Sequence, residues 1–227
     1  MKKKVISDIR LYKSWVLSES GTDITTSFGD KKLNAITRRI AMKLRESEFS
    51  LGDFDHLYIN FTTYDLDKEM NLSTKVDRYH PWYRYCNIPV EKDFHNILGS
   101  PQSYEGIVQW IATALVTYFS TDEFSQSRIL TGVQQAVEQG EQMLMKFKEK
   151  SSAKRKAVVF LRYLDTCRYC PLLRVYDTEN NLLFEKDLPE TIMLDYLGEI
   201  QVSAKKVTIK PRKNAFTSEY LPMVFEY

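Results

Sequence analysis

The chain has 227 residues, 43% of them hydrophobic and 27% charged, and its 32 basic and 30 acidic side chains leave a net charge of +2. This composition suits a globular protein able to bury a core without staples, and it excludes a global field that would drive nucleic-acid or membrane binding. Only 8 glycines argue against phosphate-cradling loops, and an odd count of 3 cysteines argues for a reducing compartment.

In chain order, residues 4–17 carry Val5, Ile9, Leu11, Trp15 and Leu17 at mostly odd spacing, the pattern of a strand with one buried face. A polar loop over 21–29 follows. Asp30 is placed to cap a helix reaching about residue 47, with Leu33, Ile36, Ile40 and Leu44 on one stripe. Residues 50–55 read as a turn. Residues 56–64 alternate, with Leu57, Ile59 and Phe61 on one side, and predict a strand. Between 65 and 90 a polar stretch gives way to the run Tyr79-His80-Pro81-Trp82-Tyr83-Arg84-Tyr85, where Pro81 and Pro89 argue against one regular element.

Ser100-Pro101 opens a helix over 101–119, since proline suits the first helical position. Tyr104, Ile107, Val108, Ile111, Leu115, Tyr118 and Phe119 follow helical spacing, and the one polar stripe is Gln109, Thr113 and Thr117, so this helix is expected to be the most buried element. A second helix is expected over 122–150, with acids in its first turn, Lys146, Lys148 and Lys150 in its last, and a seam of Leu130, Val133, Val137, Leu144 and Phe147. Residues 150–156 read as a basic linker.

The last third is strand-rich. Residues 157–164 are apolar and β-branched, and 172–176 and 182–186 flank a polar turn as a hairpin. A short helix is expected over 188–197, then strands at 200–210 and 221–226. Strand, helix and strand, then helices, then a run of strands favour an α+β fold over a doubly wound sheet. The expected architecture is a single domain over 1–227, with helices 101–119 and 122–150 packed on a mostly antiparallel sheet of N- and C-terminal strands.

Two stretches repeat a pattern, Arg78-Tyr79 … Arg84-Tyr85-Cys86 and Arg162-Tyr163 … Arg168-Tyr169-Cys170, but the residues around them do not align. Cys167-Arg168-Tyr169-Cys170 after the run 158–161 resembles the thioredoxin and glutaredoxin active site, which implies a first cysteine at a helix N-terminus that lowers its pKa. That family continues as a helix, whereas residues 172–176 run into a polar turn and Pro171 follows the second cysteine directly. The reading adopted is a pair of strand-end or core thiols. A zinc site from these thiols, Cys86 and one of His56, His80 or His95 lacks a second clustered ligand pair. Asp53, Asp55, Asp65, Asp67 and Glu69 match no calcium-loop spacing and read as solvated acids. No hydrolase, phosphate-loop or dinucleotide fingerprint is present.

Arg162, Arg168 and Arg174 are evenly spaced. In an extended chain they project to one side, with Tyr163 and Tyr169 on the other. Lys205, Lys206, Lys210, Arg212 and Lys213 add charge nearby. Arginine and aromatic side chains are also what anchors protein interfaces. The expectation is therefore a non-catalytic protein that binds another protein, of the type of inhibitor and toxin-immunity proteins. Its contact residues are expected to be Tyr79, Trp82, Tyr83, Arg84, Tyr85, Arg162, Arg168 and Arg174, with no cofactor, metal or membrane partner. The basic start of the chain has no apolar run behind it, and the longest apolar stretch, 107–119, is too short to span a bilayer, so a cytoplasmic location is expected. The alternatives are a thiol-dependent enzyme using Cys167 or Cys170, and a nucleic-acid binder through the C-terminal Arg and Lys set, against which the charge balance argues.

Overall fold

A computed structural model describes residues 3–16, 23–64, 69–214 and 219–227 of an α+β protein. Its contacts fall into two compact units, Met1–Gly140 and Glu141–Tyr227. Each has its own buried set.

The first unit opens with β1 (Lys4–Val5) and β2 (Asp8–Val16), then β3 (Asp23–Ser27) and α1 (Lys31–Glu46). The expected first strand is thus broken, and Leu17 lies outside the described residues. Asp30 caps α1 as its sequence position requires, its carboxylate accepting the Leu33 amide at 2.8 Å. Leu33, Ile36, Ile40 and Leu44 are all buried. β4 (Ser50–Gly52) pairs with β1, so the start of the expected 50–55 turn is a short strand. β5 (His56–Thr62) is the strand that alternation predicts.

The aromatic segment contains a strand as well. β6 (Asn71–Leu72) and β7 (Tyr83–Pro89) complete a five-stranded sheet in the order β3-β2-β5-β7-β6. Pro81 lies before β7 and Pro89 ends it, so neither ring interrupts the ladder. β2, β5 and β7 are parallel to one another, while β3 and β6 run antiparallel at the edges. The link from β2 to β5 carries α1, as a crossover between parallel strands must leave the sheet.

Four further elements follow: α2 (Lys92–Ile97), a 3₁₀ turn at Pro101–Ser103, α3 (Tyr104–Phe119) and α4 (Gln126–Gln139). α3 buries Ile107, Ile111, Ala114, Leu115 and Phe119 and exposes Gln109, Thr113 and Thr117. It is not the most buried helix. α1 buries nine side chains, including Thr37 and Arg39, because it lies on β2 with one flank and against α4 with another.

α4 stops well short of residue 150. Gly140 has φ +52, which breaks the helix at little steric cost. Leu130 and Val137 are exposed, and Ile129, Val133 and Ala136 form the buried seam.

In the second unit the three lysines expected at a helix end sit on β8 (Met145–Ser151). β8 joins β9 (Lys156–Tyr163), β10 (Tyr169–Tyr176) and β11 (Leu182–Asp187) in an antiparallel sheet of that order. The basic run 150–156 spans the β8–β9 turn, which is closed by the Ser152 amide donating to the Arg155 carbonyl at 2.8 Å. The β10–β11 turn follows from its sequence, with the Asp177 carboxylate accepting the Glu179 and Asn181 amides at 2.8 and 2.9 Å.

No helix forms over 188–197. Thr191 instead bridges to Tyr169. β12 (Glu199–Val202), β13 (Lys206–Lys210) and β14 (Met223–Glu226) make a separate three-stranded sheet. A side chain at Gly198 would meet the Lys210 carbonyl at 2.5 Å, so the start of β12 admits only glycine. The N- and C-terminal strands therefore do not share one sheet, and the larger sheet is mixed.

Candidate functional site

Strand alternation in the first unit sends Ile9, Leu11, Leu57, Ile59, Phe61, Cys86 and Ile88 to the helix-covered face. The other face receives Arg10, Tyr12, Tyr58, Tyr83 and Tyr85. Parallel register sets Arg10, Tyr58 and Tyr85 side by side, with Tyr12 beside Asn60 and Asn87 one step on. Four tyrosine rings from three strands form one cluster. Tyr58 stacks on Tyr83 with centroids 4.4 Å apart and planes 9° apart. Tyr12 lies 5.0 Å from Tyr58 and 5.4 Å from Tyr85. The Arg10 guanidinium lies 5.6 Å from the Tyr58 centroid and is held by Asp8 at 2.9 Å.

The loop before β7 extends this cluster. Asp77 shapes it by accepting the Tyr79 and His80 amides at 2.8 Å each, and Tyr83 donates its hydroxyl to the same carboxylate at 3.2 Å. Those bonds hold the Asp77 carboxyl below its usual range, His80 contributing most. The His80 ring stands edge-on to Trp82 at 4.8 Å. Tyr79 is 78% exposed and Trp82 37%, so the rim of the cluster meets solvent. Burial raises the pKa of Tyr58 and Tyr83, and burial followed by the neighbouring phenols pushes Tyr85 up to about 12. All three are neutral phenols at neutral pH. Beside them Asn60 is buried, donating to Ser14 Oγ at 3.0 Å and to Asn87 Oδ1 at 2.9 Å.

Tyr79, Trp82, Tyr83 and Tyr85 are thus brought together on or beside one face. Arg84 is not part of it: alternation turns it inward, and it is 6% exposed. It donates to Asp53 at 2.9 Å and to the Pro81 and Tyr83 carbonyls at 3.1 and 2.7 Å, which anchors the loop from behind. Arg10, Tyr12 and Tyr58 are members that sequence reasoning missed. Each occupies the polar phase of an alternating strand, and that alternation is the signal that points to them.

The arginine row of the second unit is present but occupied. Arg162 pairs with Asp187, Arg168 with Glu190 at 3.9 Å and Arg174 with Glu185 at 2.6 Å. The register places Arg162 and Arg174 on one sheet face, while Arg168 lies in the β9–β10 turn. Tyr163 and Tyr169 pack together at 4.8 Å. Three guanidinium groups with acidic neighbours attract an incoming anion weakly.

Cys167 also lies in this turn, at φ +62, and Cys170 lies on β10. No helix follows, so the dipole that activates a thioredoxin-type thiol is missing here. Cys86 is buried on β7 and its thiol is pushed up to about 12 by burial. His56 binds Asp55 at 2.6 Å at the start of β5, and His80 approaches Asp77 at 3.3 Å. Of the acidic set, Asp53 pairs with Arg84, whereas Asp65 and Asp67 lie outside the described residues. Among the described residues no group of three metal-ligating side chains converges, and no helix is long and apolar enough to cross a membrane.

Compared with known proteins, the chain matches no family model, no curated protein and no solved structure.

Proposed function

We propose that this is a non-catalytic cytoplasmic protein that binds another protein, in the manner of an inhibitor or immunity protein, through the tyrosine face of its first unit. The observation that carries the reading is the convergence of Tyr12, Tyr58, Tyr83 and Tyr85 from three strands, continued by the exposed Tyr79 and Trp82. Rings of this kind offer contact area with few rotors to freeze; Tyr58 is buried and Tyr83 already donates to Asp77, so the exposed Tyr79 and Trp82 and the half-buried Tyr12 and Tyr85 supply that area. The rings stand on paired strands, and Asp77 and Arg84 hold the loop from both sides, which lowers the ordering cost of association. Among the described residues, the charge beside the rings is mixed, with Asp8 and Arg10 paired, Asp77 at Tyr83 and Arg78 over Tyr79. That suits a protein partner better than a phosphate backbone. The free cysteines agree with a reducing compartment.

The test is site-specific photo-crosslinking in source cells. A photoreactive residue at Tyr79 should trap one protein. The same residue at Gln109, exposed on α3, should not. Trp82→Ala should weaken capture at Tyr79 without unfolding the chain. Equal adducts at both positions, or none at Tyr79, would remove the proposal.

A further inference from the structure

We draw no further inference here: the strongest candidate, the surface patch of the second unit that exposes Ile192 and Met193 before β12 and Tyr220 and Leu221 before β14, carries none because nothing in the structure shows what covers it.

Discussion

Asp53→Ala removes one carboxylate and leaves the Arg84 guanidinium where it is, with its side chain 7% exposed. The arginine keeps the Pro81 and Tyr83 carbonyls at 3.1 and 2.7 Å and Phe54 at 5.2 Å, but loses the negative charge at 2.9 Å. A wholly exposed pair would be worth at most about 1 kcal/mol. Stranding a fully buried charge costs about 3–5 kcal/mol. The Asp53 side chain is 47% exposed, so water already weakens the pair. The expected loss is therefore about 2–3 kcal/mol, between those limits. Arg84→Met in the same chain removes the stranded cation and keeps most of the packing on Phe54. The double variant should then be more stable than Asp53→Ala alone, by about 1 kcal/mol. Urea unfolding followed by tryptophan fluorescence measures this in the right place, because Trp15, Trp82 and Trp110 all belong to the first unit. A loss below about 0.5 kcal/mol in Asp53→Ala, the size of an ordinary surface change, would refute the reasoning. So would a double variant less stable than the single.

Ile111 is fully buried on α3, and Ile111→Ala should cost about 2–5 kcal/mol by the same assay; a change within error would place α3 outside the core. Under native conditions at neutral pH, a thiol reagent should modify the half-buried Cys167 and Cys170 but spare Cys86, which should react only in denaturant. His95 has a folded-state pKa below its unfolded value of 6.5, so the stability linked to it is whole above pH 6.5 and is lost as pH falls through the folded value. His95→Gln should flatten the decline in stability that begins near pH 6.5, and an unchanged pH profile would show that the ring is not held neutral.

Features encoded within a few residues were legible in the sequence. Asp30 and the stripe Leu33, Ile36, Ile40 and Leu44 specify α1, since a cap and a helical period need only local contacts. Alternation specifies β5, and Asp177 with Asn181 specifies the β10–β11 turn, for the same reason. Gly140 was a stop signal within reach of sequence reasoning. The charge pattern of residues 122–150 points past it, because lysines that suit a helix end equally suit the exposed side of β8.

Tertiary structure decided what lies next to what. Nothing near Arg10, Tyr58 or Tyr85 in the chain says that they are neighbours; they meet because two parallel pairings, spanning dozens of residues, fix one register. The same register turned Arg84 inward to Asp53 and away from the rings that flank it in sequence. Pairing across the second unit likewise gave each arginine of the evenly spaced row an acid from farther along the chain. Sequence by itself determined the periods, the caps and the local turns. Which polar side chains meet, and which are neutralised before a partner arrives, depended on long-range strand pairing, which is set by the packing of the whole sheet and leaves no local mark.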